Sequence, residues 1–169
     1  MNVGSGIAAM PDVARGALLA MAGFAVISAA WWIWEALWDR RLFVSKAGAR
    51  AVNLSAGEAR QWVQSHPDLQ ILDLRTSVET ARGTLPGARR VTWGEPEFRR
   101  KLERWDRSRP ILVYCEGGYR SRKAVPVLRS LGFTSIHHLH RGMMAWRWAG
   151  HPVVAEEPGD LPPGDGPMR

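Results

Sequence analysis

The chain has 169 residues, with 23 Lys+Arg against 16 Asp+Glu and a single cysteine. This length allows one modest domain with appendages, and one cysteine excludes both an intrachain disulfide and a thiol relay within the chain. The positive charge is concentrated in residues 54–154, which hold 17 Lys+Arg against 9 Asp+Glu. The arginines are scattered and no nucleic-acid-binding motif accompanies them, so we expect an anionic substrate or membrane surface rather than nucleic acid.

The N-terminal third has the composition of a membrane anchor. Residues 1–16 are small and polar and predict a disordered leader, whereas residues 17–34 carry no charge and the apolar character continues to residue 38. Four tryptophans cluster near the end of this stretch, where a membrane interface favours indole rings, and a basic linker over residues 39–53 follows. We predict a transmembrane helix over residues 17–38, with the following domain in the cytoplasm by the positive-inside rule.

Two other interpretations of this segment remain open. A cleaved signal peptide would use the small residues at 28–30 as its cleavage site and would release the domain outside the cytoplasm. A helix packed on the soluble domain is the third interpretation. With four tryptophans and few polar residues, such a helix would have no polar face to turn towards solvent.

Residues 54–154 alternate apolar strands with amphipathic helices. Ser55 and Glu58 predict a capping box at the first helix, and strands are predicted at 69–74, 91–93, 111–114 and 135–140. Helices are expected at 97–105, after residue 118 and at 142–148, the last with Met143, Met144 and Trp146 in the core. This order predicts an α/β fold, a parallel sheet flanked by helices. Residues 155–169, with four prolines, predict a disordered tail.

The cysteine, Cys115, lies where the strand at 111–114 ends and the next helix begins. Gly117 and Gly118 allow the backbone to curl tightly there. Free loop N–H groups and the positive end of the helix dipole stabilise an anion, and helix N-termini lower a cysteine pKa to roughly 3.5–7.5. The alternative is a buried structural cysteine, but such a cysteine does not require a glycine-rich loop that binds an anion. The pattern therefore favours a reactive thiolate.

The sequence CEGGYRS at residues 115–121 resembles the active-site loop of single-domain rhodaneses, the thiosulfate and persulfide sulfurtransferases. The motifs at residues 71–75, 83–88 and 142–146 follow in the family's order, so the resemblance covers roughly residues 54–154. One departure is Thr84, where the family usually has histidine. Four residues separate Cys115 from Arg120, the sulfur-transfer spacing, whereas the related phosphatases have a loop one residue longer.

The resemblance implies a rhodanese-like fold and sulfur transfer through a persulfide on Cys115, without a metal or an organic cofactor. The sulfur would pass from a donor such as thiosulfate to a thiol or to cyanide. Arg120, with Arg75, would bind the sulfonate leaving group, and Asp73 and Arg75 would brace the loop. The predicted substrate-binding residues are Glu116, Gly117, Gly118, Tyr119, Arg120 and Ser121.

A second hypothesis is a persulfide carrier or docking module that serves a membrane protein partner and turns over little free thiosulfate. Glu116 favours it, because a carboxylate beside the loop repels a dianion. An inactive scaffold is disfavoured because Cys115 and Arg120 are both present.

Three histidines at positions 137, 138 and 140 raise the question of a zinc site. On an extended strand His138 and His140 share one face and His137 lies on the other. No aspartate or glutamate lies within this stretch, so we do not predict a metal site.

Overall fold

The computed structural model describes residues 12–43 and 50–155, and the chain divides into two compact units between Arg41 and Leu42. The described part of the first unit is helical and belongs to helix α1 (Asp12–Leu42), whose last residue falls in the second unit. Most of the predicted leader, residues 1–11, and most of the predicted tail, residues 156–169, lie outside the described residues.

Helix α1 begins five residues before the predicted span and ends four residues after it. Asp12 stands in its first turn, where a negative charge complements the helix dipole. Residues 12–37 have the length and composition of a membrane span, with a mean hydropathy of 1.8, and the most apolar window is 0 % buried. At about 1.5 Å per residue this stretch exceeds a ~30 Å hydrocarbon core. A signal sequence has the same properties, so α1 is an apolar helix that could span a membrane.

The predicted linker over residues 39–53 is wrong at both ends. Its first residues continue α1, and its last residues form strand β1 (Arg50–Leu54). This strand pairs along its whole length with a distant strand, from Arg50 beside Ser135 to Leu54 beside Leu139. Because Arg50 and Asn53 interrupt its apolar pattern, tertiary pairing rather than local sequence specifies β1.

Five strands form one parallel sheet in the order β1-β5-β4-β2-β3. The alternation of elements predicted the parallel sheet, but neither β1 nor the order of the strands. The remaining strands are β2 (Gln70–Asp73), β3 (Ala88–Arg90), β4 (Ile111–Tyr114) and β5 (Ser135–Leu139). Strand β4 occupies the centre and is buried at every residue. Cys115 follows it directly and therefore lies at the middle of the sheet's carboxyl edge, where open α/β sheets place their sites.

Helices cover both faces of the sheet: α2 (Ala56–Ser65), α3 (Ser77–Thr80), α4 (Phe98–Leu102), α5 (Tyr119–Ser130) and α6 (Gly142–Trp148). Two buried clusters follow the alternation of the strands. Val113 belongs to the cluster under α4 and α5, whereas Leu112 and Tyr114 belong to the cluster under α2 and α6. The predicted capping box of Ser55 and Glu58 is confirmed.

Two local predictions are wrong. The strand expected at 91–93 lies at Ala88–Arg90, where the backbone pairs with β2. Val91, whose apolar side chain suggested a strand, is fully buried just beyond β3. Met144, expected in the core, is 58 % exposed, since α6 turns only Met143 and Trp146, three residues apart, towards the sheet.

Candidate active site

The loop after β4 presents its groups to the sulfur of Cys115. Gly118 has a φ of 90°, a left-handed conformation that favours glycine, and its N–H donates to Sγ at 3.2 Å. The hydroxyl of Ser121 lies 3.5 Å from the same sulfur. Helix α5 begins at Tyr119, so its positive end faces the loop. Cys115 itself is only 1 % exposed. One backbone N–H and one hydroxyl of the predicted loop therefore lie within reach of Sγ.

The start of α6 holds this loop from behind through backbone contacts alone. The N–H of Met143 donates to the Cys115 carbonyl at 2.8 Å, and that of Met144 donates to the Glu116 carbonyl at 3.0 Å. Gly142 makes the approach possible, because a Cβ there would lie 2.0 Å from the Cys115 carbonyl oxygen. Sequence reasoning recognised Gly142 only as part of a motif, and this close approach explains why glycine is needed there.

Asp73 and Arg75 form a fully buried ion pair at the end of β2. Nη2 of Arg75 lies 2.7 Å from Asp73 and also donates to the Gly83 carbonyl at 2.9 Å, while Nη1 reaches the Glu116 carboxylate at 3.1 Å. Burial alone would lower the pKa of Arg75, but the hydrogen bonds that Arg75 donates to Asp73 raise it above its ordinary value. The guanidinium braces the loop and is enclosed, so we withdraw the prediction that Arg75 contacts a leaving group.

The carboxylate of Glu116, on the outer side of the loop, forms ion pairs with two arginines. Its other carboxylate oxygen accepts from Arg147 Nη1 at 3.2 Å, opposite the contact with Arg75. Two cations neutralise this carboxylate. The repulsion of a dianion that we expected from Glu116 is correspondingly weakened.

Arg120, the predicted anion-binding cation, is already paired with a carboxylate. Its Nη1 donates to Glu79 Oε2 at 2.9 Å, and its Nη2 contacts the other oxygen, Oε1. Hydrogen bonding to Arg120 lowers the pKa of Glu79 to about 2 and raises that of Arg120 above its ordinary value. Sequence reasoning missed Glu79, although Thr76 and Glu79 have the spacing of a capping box, which the structure contains.

A buried histidine, also missed, supports Ser121 from the β5 side. Nε2 of His138 lies 2.9 Å from Ser121 Oγ and 3.2 Å from the Gly118 carbonyl, and Nδ1 lies 2.8 Å from Asn53 Oδ1. Burial lowers the pKa of His138 to about 3, so the ring is neutral near pH 7. The neighbouring His137 lies on the other face against Trp62, with ring centroids 3.9 Å apart, as the strand alternation predicted.

A family model for the rhodanese-like domain matches residues 55–149. The chain belongs to the rhodanese-like family. Within it, a sulfurtransferase of Allochromatium vinosum is 31 % identical over 90 residues, which cover 53 % of this chain and 82 % of that protein. A tRNA uridine(34) hydroxylase of a Synechococcus species is 32 % identical over 120 residues, 59 % of this chain. The match spans only 36 % of that hydroxylase.

Solved structures share the rhodanese fold. A rhodanese-related protein from Thermoplasma volcanium superposes with a TM-score of 0.55 at 27 % identity, covering 62 % of this chain and 98 % of its own. A thiosulfate sulfurtransferase from Pseudomonas aeruginosa has a TM-score of 0.56 at 24 % identity, covering 68 % of this chain and 21 % of its own. The latter likeness concerns the fold alone. The predicted family and fold class are confirmed.

The remaining predicted binding residues of the rhodanese-like loop lie at its outer rim. Tyr119 is 63 % exposed, and Lys123 Nζ lies 4.4 Å from the centre of its ring. Gly117 backs onto the exposed Met144, whose sulfur would lie 3.9 Å from a Cβ at this position. The exposed ring of Tyr119 and the exposed thioether of Met144 thus lie beside the loop, whereas the sulfur of Cys115 is buried.

Proposed function

We propose that this rhodanese-like protein is a membrane-anchored sulfurtransferase that carries a sulfane sulfur as a persulfide on Cys115. The single observation that carries the proposal is the surroundings of Sγ, which receives the Gly118 N–H at 3.2 Å beside the N-terminus of the 12-residue helix α5. Donors aimed at one sulfur stabilise both the thiolate and the persulfide anion that replaces it.

The reaction consists of two displacements. The Cys115 thiolate attacks the outer sulfur of a donor; a new S–S bond forms, the donor's S–S bond breaks, and the electron pair leaves as sulfite or a thiolate. An acceptor thiolate or cyanide then attacks the outer sulfur of the persulfide and restores the Cys115 thiolate. Neither step requires an oxidant or a reductant, and no cofactor enters the scheme.

Intact-protein mass spectrometry tests this proposal on the full chain purified in mild detergent. After treatment with thiosulfate, or with a small alkyl persulfide, the protein should gain about 32 Da, the mass of one covalently held sulfur. Cys115→Ser should gain nothing, because the covalent intermediate needs a thiolate. Retention of the adduct in that variant, or its absence from the natural protein with both donors, would refute the proposal.

The second candidate, a carrier that serves a membrane partner, is favoured by the pairing of Arg120 with Glu79 and of Arg75 with Asp73 and Glu116. Cations already bound to carboxylates attract free thiosulfate weakly. Steady-state turnover separates the candidates. An enzyme releases sulfite repeatedly from thiosulfate in the presence of cyanide, whereas a carrier releases about one equivalent from each Cys115.

The membrane location rests on α1, and we propose that the domain that follows lies in the cytoplasm. The helix has the hydropathy of a membrane span, and the chain after it is basic. Since Cys115 is buried, topology is better measured with Trp148→Cys in the Cys115→Ser background, because Trp148 is 92 % exposed. We expect an impermeant thiol reagent to label this cysteine only after the inner membrane is permeabilised. Labelling before that step would reverse the orientation, and a mature N-terminus near residue 31 would indicate a signal peptide.

A further inference from the structure

The positively charged side chain of the loop around the reactive sulfur is already paired with a carboxylate. Arg120 is a member of the loop itself and directly precedes Ser121, whose hydroxyl lies 3.5 Å from Sγ of Cys115. Both terminal nitrogens of its guanidinium contact Glu79, one on each carboxylate oxygen. An anionic donor that approaches Arg120 therefore meets an ion pair rather than a free cation.

Glu79 is fixed in place by contacts beyond Arg120. Its Oε2 accepts from the backbone N–H and from the hydroxyl of Thr76, both at 2.9 Å. The side chains of Glu79 and Arg120 are 27 % and 28 % exposed, so the pair is partly open to solvent and does not lie in the core. A carboxylate held by four hydrogen bonds keeps its position and its charge when a second anion arrives.

We propose that Glu79 is a specificity-determining residue, which discriminates against small dianionic sulfur donors in favour of donors with one charge or none at the reacting end. The inference rests on the proposed sulfurtransferase function and refines its substrate class. The repulsion between Glu79 and a donor scales with the donor's charge, so a dianion such as thiosulfate is penalised twice as strongly as the monoanion of an alkyl persulfide. The persulfide carried by a cysteine side chain has this lower charge.

Both donors react by the same balanced exchange, so the selectivity lies in binding. From thiosulfate, the Cys115 thiolate takes the outer sulfur and sulfite leaves with the electron pair. From an alkyl persulfide, the same sulfur is taken and the alkyl thiolate leaves. Because the bond that forms is the same, a change at Glu79 should alter kcat/KM for the two donors unequally.

The test compares Glu79→Gln with the natural protein, as full chains in detergent, using thiosulfate and the persulfide of N-acetylcysteine methyl ester. We take a separation of about 6 Å between the carboxylate and the donor, with the dielectric constant of water. Removing one negative charge at that separation should raise kcat/KM for thiosulfate roughly tenfold and for the monoanionic persulfide roughly threefold. The ratio of the two constants should therefore rise about threefold. Glutamine keeps an oxygen for the Thr76 contacts, so the variant retains the start of α3.

Glu58→Gln is the matched control, because Glu58 occupies the same capping-box position on α2. It should leave both constants within about twofold, since its contacts with Ser55 lie at an exposed helix end. Added salt should shrink the difference between Glu79→Gln and the natural protein, as a charge effect requires and a loop rearrangement does not. An unchanged or lowered ratio in Glu79→Gln, with a Cys115 persulfide still formed, would overturn this inference alone. Failure of the natural protein to form that persulfide with either donor would overturn the proposed function as well.

Discussion

Replacing Gly142 with alanine tests whether the backbone contact between α6 and the cysteine loop is essential. Gly142 has a φ of 54°, and an added Cβ would lie 2.0 Å from the Cys115 carbonyl oxygen and 2.8 Å from that of Glu116. Both obstacles are backbone atoms, which cannot rotate away as a side chain can. We therefore expect the loop to move away from α6 in Gly142→Ala, and the donors around Sγ to move with it.

The cost follows from three contributions. A left-handed conformation costs an L-residue about 1–2 kcal/mol, and overpacking adds about 1–3 kcal/mol. Separating the loop from α6 also weakens the two hydrogen bonds from Met143 and Met144, worth about 1 kcal/mol each. With both hydrogen bonds lost, the free energy of unfolding should fall by about 4–7 kcal/mol, a large part of the 5–15 kcal/mol that stabilises a typical domain.

Thermal unfolding followed by circular dichroism, on the full chain in detergent, measures the loss. At roughly 4 °C per kcal/mol we expect Tm to fall by about 16–28 °C, with persulfide formation on Cys115 lost at temperatures where the variant is still folded. Gly87→Ala and Gly150→Ala are the controls, since these glycines have φ values of 73° and 68° and nothing within 4 Å of an added Cβ. In these two controls the free energy of unfolding should fall only by about 1–2 kcal/mol, which is what a left-handed conformation costs an L-residue. A Tm for Gly142→Ala no lower than for these controls would refute the reasoning.

Three further outcomes follow from the buried polar groups. Tyr114→Phe removes a hydroxyl that donates to Asp73 and accepts the Leu85 N–H, and should cost about 1–3 kcal/mol by urea or thermal unfolding, because two buried groups lose a partner. Asp73→Asn leaves the buried Arg75 without its carboxylate and should cost about 3–5 kcal/mol in the same assay, whereas a loss below 1 kcal/mol would contradict a bracing role. His138 has a folded pKa of about 3, below its ordinary value of 6.5, so stability should fall as the pH decreases from about 6.5 towards 3. His138→Asn should flatten that part of the stability profile, and an unchanged slope would show that other groups titrate there.

The fold and the reactive loop could be predicted because their signals are local. Strand β4 is a continuous apolar run, and a glycine pair with a helical pattern follows it, so the position of Cys115 at the end of a strand could be read directly. The parallel sheet flanked by helices follows from the alternation of strands and helices along the chain.

What could not be predicted depends on pairs distant in sequence. Glu79 and Arg120 are 41 residues apart, and Asn53 and His138 are 85 residues apart, so no periodicity links them. Strand β1 was predicted as a linker for the same reason, since only its pairing with β5 orders it. The expectation that Arg75 helps to bind a leaving group was wrong, whereas its bracing contact with Asp73 is present, because burial decides whether a cation can meet a substrate and is a tertiary property.

The pairing of charges at the site also changes the interpretation of the domain's basic character. Around the loop, three arginines meet three carboxylates: Arg75, Arg120 and Arg147 with Asp73, Glu79 and Glu116. These six groups offset one another's charge, although residues 54–154 carry 17 Lys+Arg against 9 Asp+Glu. The excess of positive charge is carried by other side chains of the domain, among them Lys123 beside Tyr119 at the rim of the loop. Because the arginines beside the loop are already paired with carboxylates, the net positive charge of the domain does not by itself identify an anionic donor, and the choice of donor depends on the few side chains around Sγ.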